Sequence, residues 1–258
     1  MIVELFGPPA AGKTTCALGL AEILRARGHR VDLMMSLRPG EQQPDPPREP
    51  RLPLAQRLAR PTRLVLSDLR HAARHGDQVA AAWRMLVAMP PRSLLWKVRL
   101  YRYLLHLHCA WEAAAQAPYL VLVDQGFVQA AASLVFLSGC RNDARIDREL
   151  AALPRADLLI GLQVPIQVLR QRLATRLPAQ GRLERWLELS IEENVRFATV
   201  TADLGARLPH QGMNPVWLSS PDDDGMETIV TRIEQILSAR QKRCDARCAS
   251  VAGSGVQP

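Results

Sequence analysis

The chain has 258 residues, a formal net charge of +8 and 48% apolar residues. This length and apolar fraction are typical of one globular domain with a full core, and no uncharged apolar run reaches the ~20 residues that a membrane helix needs. The positive charge comes mostly from arginine and indicates either a compositional bias or an anionic partner. Phosphorylated small molecules are favoured over nucleic acid as that partner, because the sequence has no module of aromatic and basic residues for stacking on bases.

The first distinctive stretch is Gly7–Thr14, which reads G-x-x-x-x-G-K-T. This is the pattern of phosphate-binding loops, in which glycines let the backbone bend around a phosphate and the amide groups point at it. An apolar strand at 2–6 precedes the loop and a helix-patterned stretch follows it, as this context requires. We therefore expect ATP and Mg²⁺ as cofactors, with Lys13 at the β- and γ-phosphates and the Thr14 hydroxyl at the metal. The expected nucleotide-binding residues are Gly7, Pro8, Pro9, Ala10, Ala11, Gly12, Lys13, Thr14 and Thr15.

The loop begins so early that we expect no signal or transit peptide, and we expect a cytoplasmic protein that does not span a membrane. The five cysteines form no C-x-x-C pair and the six histidines are scattered. These spacings predict reduced, structural thiols and no metal cluster.

A second apolar strand at 31–35 completes a strand–helix–strand unit, and a proline-rich loop at 36–61 follows it. So long a loop in a compact enzyme is usually functional or disordered. Residues 62–116 are mostly helical by pattern, with a break at Pro90 and Pro91, and they form an insert on the acceptor side. Arg99 and Arg102 share one face of this insert, which is either a solvated basic face or a wall that binds the anionic acceptor.

Residues 119–123 form an apolar strand that ends in Asp124, Gln125 and Gly126. An acidic residue at the end of such a strand lies beside the phosphate loop in this architecture. There Asp124 either holds Mg²⁺, together with Thr14, or accepts the proton of the attacking hydroxyl group. The alternative is an aspartate that only caps the next helix.

Two helices, at 127–139 and 143–153, lead to a buried strand at 157–164 and to a helix that starts after Pro165. This last helix carries Arg172 and Arg176, and a flexible break at 177–182 follows it. Arginines around a mobile loop are suited to stabilising a transferring phosphoryl group, although surface arginines without a role are the alternative. The catalytic candidates are Lys13, Asp124, Arg172 and Arg176.

A long helix at 183–208, a short strand at 215–218 and a helix at 225–237 complete the domain, which we place at 1–240. The remaining residues, 241–258, are polar or small and are predicted to form a disordered tail.

The order of these parts resembles the thymidylate kinase-like branch of the nucleoside and nucleotide kinases. Arg38, Pro39 and Gly40 are similar to that family's arginine–proline–glycine turn, whose arginine helps hold the acceptor's phosphate. Asp124 matches the aspartate of its aspartate–arginine motif, and Gln125 stands where the family has the phosphate-clamping arginine. The resemblance implies a lid at 177–182, acceptor binding by Arg38 and by Gln125, and a homodimer through residues 127–139.

Together these features predict an α/β fold of the P-loop NTPase type. Its three-layer sandwich would have a five-stranded, mostly parallel sheet with helices on both faces and an arginine-bearing lid. The predicted function is an ATP-dependent kinase for a small-molecule acceptor such as a nucleoside monophosphate or another alcohol. The alternatives are an ATPase without such an acceptor and a nucleotide-binding regulatory protein that has lost the chemistry.

Overall fold

The structure is a computed structural model that describes residues 1–35, 76–176, 189–219 and 223–253. Side chains are described throughout these ranges except at residues 176, 223 and 243–253. Its described residues contain a five-stranded sheet in which every pairing is parallel. The strands are β1 (Ile2–Phe6), β2 (Val31–Met34), β3 (Leu120–Val123), β4 (Leu158–Leu162) and β5 (Val216–Leu218).

The strand order is β2-β3-β1-β4-β5, so the first strand of the chain is the central strand of the sheet. The three inner strands, β1, β3 and β4, are buried throughout and read as nearly continuous apolar runs, which explains why the sequence predicts them. The two edge strands, β2 and β5, are only partly buried. The sheet is wholly parallel, whereas the sequence predicts it only to be mostly so.

Eight α-helices connect and cover the strands in the described part of the chain. They are α1 (Lys13–Ala26), α2 (Gly76–Ala88), α3 (Leu94–Gln116), α4 (Phe127–Ser138), α5 (Asp143–Ala151), α6 (Ile166–Arg176), α7 (Ile191–Arg207) and α8 (Asp223–Gly253). A short 3₁₀ turn, Leu208–Gln211, follows α7.

Two apolar cores lie on the two faces of the sheet. Side chains alternate along a strand, so Ile2 and Phe6 of β1 pack with α3, α4 and α7, while Val3 and Leu5 pack with α1 and α8. Glu4 lies between Ile2 and Phe6 in this alternation, and it therefore faces α4. The predicted arrangement of helices on both faces of the sheet is confirmed.

Helix α8 differs most from the prediction. It continues to Gly253, whereas residues 241–258 were expected to be disordered, and this expectation is wrong for 241–253. The stretch is rich in Ala, Arg, Lys and Gln, which favour helix, and it contains no glycine or proline before its last residue. Small and polar composition was therefore a poor indicator of disorder here.

Several predicted features lie outside the described residues. They are Arg38, the loop at 36–61, the first part of the insert at 62–75 and the lid at 177–182. Within the described ranges, no helix combines the length and apolar character that crossing a membrane requires.

Candidate functional site

The carboxyl ends of the two central strands meet at one edge of the sheet, and the Gly7–Thr14 loop and Asp124 both lie there. Glu4 of β1 is paired with Val123 of β3, so the residues that follow these two strands emerge side by side. The backbone N–H of Asp124 also donates to the carbonyl oxygen of Met34, at 3.2 Å, which ties this residue to β2. Ligands of open parallel sheets usually bind at this edge.

The loop between β1 and α1 has a tight backbone. Gly7 has a φ of 153°, and a Cβ atom at this position would lie 2.8 Å from the carbonyl oxygen of Leu162 at the end of β4. Any side chain would therefore push the loop away from β4. Ala10 and Gly12 have positive φ values of 60° and 97°, and they turn the chain into the first turn of α1.

Lys13 is the first residue of α1, and its ammonium group lies across the start of the loop. Nζ donates to the carbonyl oxygens of Gly7, at 2.8 Å, and Pro8, at 2.9 Å, and the residue is only 6% exposed. The first amide groups of a helix have no acceptor within the helix and carry partial positive charge. The ammonium group and the helix N-terminus thus place positive charge together, which is the arrangement that binds phosphate.

Thr14 and Asp124 face each other across the same edge. The Thr14 hydroxyl donates to Oδ2 of Asp124 at 3.1 Å, and Asp124 is 2% exposed. Mg²⁺ at a nucleotide takes one or two protein oxygens and completes its coordination with phosphate oxygens and water. The two oxygens of this pair match the number that such an ion takes from the protein. Among the described residues no group of three or more His, Cys, Asp or Glu gathers around a common point.

Arg172 of α6 contacts the loop itself. Its Nη1 donates to the carbonyl oxygens of Ala10, at 3.2 Å, and Ala11, at 3.3 Å. Arg170, two residues earlier, instead forms an exposed ion pair of 3.6 Å with a glutamate of α7. The side chain of Arg176 is outside the described part of the structure. The fold therefore brings Arg172 to the loop and directs Arg170 elsewhere.

The predicted acceptor side is bordered by α3. The Tyr103 hydroxyl of this helix donates to the backbone carbonyl oxygen of Gln125 at 2.9 Å, so α3 contacts the segment that follows β3. Arg99 and Arg102 come just before Tyr103 and are half-buried. The guanidinium group of Arg99 lies over the ring of Trp96, and its Cζ atom is 4.7 Å from the ring centroid. This is within the ~6 Å over which a cation is attracted to an aromatic face.

Glu4 is a site residue that the sequence reasoning missed. Its carboxyl group is fully buried beside Gly126, and burial raises its pKa to about 8, opposed in part by the backbone N–H groups of Val128 and Gln129. Oε1 accepts a hydrogen bond from the N–H of Val128 at 2.7 Å, and Oε2 has no hydrogen-bond partner among the described residues. One acidic residue inside an apolar strand was the signal that could have identified it.

Tyr103 and Gln129 were also missed. Burial, and then the carboxyl groups of Glu4 and Asp124, raise the pKa of the Tyr103 phenol far above its ordinary value, so it acts as a neutral donor. Gln129 is 5% exposed, and its Oε1 accepts a hydrogen bond from the backbone N–H of Gly7 at 3.1 Å. Its position in an uncharged helix gave no sequence signal.

A scan against protein-family models gives no match for the chain, and a search of curated proteins gives none either. The resemblance to thymidylate kinase-like enzymes therefore stays a prediction. The loop pattern and the contacts around it are what support a function.

Proposed function

We propose that the protein is a small-molecule kinase that transfers the γ-phosphoryl group of ATP to an acceptor oxygen. The observation that carries this proposal is that Asp124 and Arg172, from two segments distant in the chain, contact the loop that contains Lys13. A G-x-x-x-x-G-K-T loop between a strand and a helix favours nucleotide phosphates as the ligand. A buried acid and an arginine beside the loop supply what phosphoryl transfer needs beyond binding.

Each residue has a role that follows from its place. Lys13 and the amides of the first turn of α1 neutralise the β- and γ-phosphates, and Arg172 adds positive charge at the outer part of the loop. Thr14 and Asp124 are the protein groups that would hold Mg²⁺. When bound, the ion neutralises charge on the phosphate oxygens and orients them.

In the proposed reaction an acceptor oxygen bonds to the γ-phosphorus while the bond to the oxygen bridging the β- and γ-phosphorus atoms breaks. The acceptor's proton leaves either to the Asp124 carboxylate or to solvent. Little covalent chemistry is asked of the protein, so positioning and charge neutralisation supply most of the rate.

The acceptor would lie between the segment that follows β3 and helix α3, where Gln125, Arg99 and Arg102 are the candidate binding residues, with Arg38 implied by the family resemblance. Two arginines favour an acceptor that carries a phosphate or another anionic group. Gln125 offers an amide where thymidylate kinases have a guanidinium group, so neutral alcohols belong in the same test.

The test is ADP release from ATP·Mg²⁺ against a panel of nucleoside monophosphates, nucleosides and sugars. We expect one class of acceptor to raise turnover well above background, and we expect Lys13→Ala to lower that turnover about 10²-fold or more. Lys242→Ala is the matched control, because Lys242 is an exposed lysine of α8 that lies far from the loop. Its neighbour in the helix, Arg240, contacts Asp157 at the opposite edge of the sheet.

Two results would contradict the proposal. Hydrolysis of ATP that no acceptor accelerates would favour an ATPase. Binding of ATP with neither hydrolysis nor transfer would favour a nucleotide-dependent regulatory protein.

A further inference from the structure

Two buried side chains join the β1 segment to the first turn of α4. One acceptor side chain belongs to the strand and the other belongs to the helix. Glu4, on the strand, accepts a hydrogen bond from the N–H of Val128 at 2.7 Å. Gln129, on the helix, accepts one from the N–H of Gly7 at 3.1 Å. Because Glu4 and Gly7 belong to the same short stretch of chain, the two bonds together hold the first turn of α4 against the end of β1.

The Glu4 bond replaces an ordinary helix cap. The N-cap residue of α4 is Gly126, which offers no side-chain acceptor to the amides of the first turn. A Cβ atom at Gly126 would lie 2.4 Å from Cδ of Glu4, so the carboxyl group occupies the place that a capping side chain would fill. Asp124 lies two residues before Gly126, so this contact is close in the chain to the acid of the candidate site.

The Gln129 bond fixes the first residue of the loop. Gly7 donates its N–H to Gln129, and its carbonyl oxygen accepts a hydrogen bond from Nζ of Lys13. Both polar groups of Gly7 are therefore held by side chains, one from α4 and one from α1. A rotation at Gly7 would break the first contact and move the oxygen that orients the ammonium group.

We propose that Gln129 is a positioning residue of the nucleotide site, which fixes Gly7 and through it the ammonium group of Lys13. This inference rests on the proposed function. It adds a residue from a helix that carries no part of the phosphate-loop pattern.

The test compares Gln129→Met, which keeps the side-chain length and removes the acceptor, with Ser133→Ala. Ser133 lies one turn further along α4, and its hydroxyl donates to the backbone oxygen of Gln129 at 3.0 Å. Its removal therefore controls for weakening of the helix alone. Gln129→Glu restores an oxygen at the same place and is the rescue variant.

The first readout is hydrogen exchange of the Gly7 amide in the full chain without nucleotide. We expect Gln129→Met to speed this exchange about tenfold, the effect of one lost hydrogen bond, and we expect Gln129→Glu and Ser133→Ala to leave it near the wild-type rate. Unchanged exchange in Gln129→Met, or an equal change in Ser133→Ala, would overturn the inference.

The second readout is the Kd for ATP·Mg²⁺. We expect Gln129→Met to weaken binding about threefold to tenfold and Ser133→Ala to leave it unchanged. Faster exchange at Gly7 with an unaltered Kd would overturn the positioning role. If the wild-type protein does not bind ATP·Mg²⁺ at all, the proposed function fails, and the exchange measurement still tests the bond between Gln129 and Gly7.

Discussion

Asp124 is nearly inaccessible to solvent and accepts a hydrogen bond from Thr14, so its charge acts at a defined point of the site. We expect Asp124→Asn to lower phosphoryl transfer about 10²-fold or more, because the shape is kept and the charge is lost. Initial rates over a series of Mg²⁺ concentrations separate the two roles. Recovery at high Mg²⁺ identifies a metal-binding residue, and no recovery at any concentration identifies a base.

Thr14→Ser is the control for this experiment, since it keeps the hydroxyl group that contacts Asp124. We expect its rate and its Mg²⁺ dependence to stay close to those of the wild-type protein. Full activity of Asp124→Asn would contradict a role for this residue in either capacity.

We expect Glu4 to make the stability of the protein depend on pH. Its pKa is raised by burial from an ordinary 4.5 to about 8, so between these values the folded state holds a proton that the unfolded state has released. The free energy of unfolding therefore falls as pH rises from about 4.5 to about 8, by up to about 1.4 kcal/mol per pH unit from this group, and levels off above. Urea unfolding at pH 5, 6, 7 and 8 measures this slope.

Glu4→Gln tests the cause of that slope. Glutamine keeps an oxygen for the N–H of Val128 and cannot ionise, so we expect the slope to diminish and the variant to be more stable than the wild-type protein at pH 8. An unchanged slope would assign the pH dependence to other groups.

At the residue scale, the sequence predicted the groups that belong to a local pattern. Lys13 and Thr14 are fixed by their spacing from Gly7, and Asp124 by its place at the end of an apolar strand. Gln129 and Tyr103 could not be predicted, because each acquires its role from a contact with a segment distant in the chain. The role of Glu4 was not predicted, although it is the one acidic residue of an otherwise apolar strand.

At the scale of a single element, α6 presents two arginines with different surroundings. Arg172 donates to carbonyl oxygens of the loop, while Arg170 forms an exposed ion pair of a kind that contributes little. We expect Arg172→Ala to lower phosphoryl transfer at least tenfold and Arg170→Ala to stay within about twofold of the wild-type rate. Steady-state rates of the two variants, with unfolding midpoints to show that both fold, make the comparison.

Equal losses in the two variants would contradict the role of Arg172, because they would indicate a general effect of positive charge on α6. The helical pattern alone could not rank these arginines. Their distance from the loop is set by how α6 packs after β4, which is a tertiary property.

The inner strands β1, β3 and β4 were the most predictable elements, since parallel strands buried on both faces are apolar almost throughout. The C-terminal part of α8 was the least predictable, because composition suggested a tail where helix propensity prevailed.

At the scale of the whole molecule, the first half of α8 covers one face of the sheet. Ile229, Val230 and Ile233 are buried against α1, and Ile236 and Leu237 pack against the same core. Removal from residue 229 onward should prevent folding, and a cooperative transition in that shorter chain would contradict this account of the core.

The order of the strands has a consequence for how the chain reaches its fold. β1 is central, yet its residues Ile2 and Val3 pair with Val121 and Leu158, which follow much later in the chain. During synthesis β1 therefore stays unpaired until β3 and β4 have been made. Pairings between residues so far apart in sequence make folding slow. In that interval Glu4 is ionised, and its charge interrupts an apolar, β-prone segment. We therefore expect the same acid that destabilises the finished fold at neutral pH to protect the unfinished chain from aggregation.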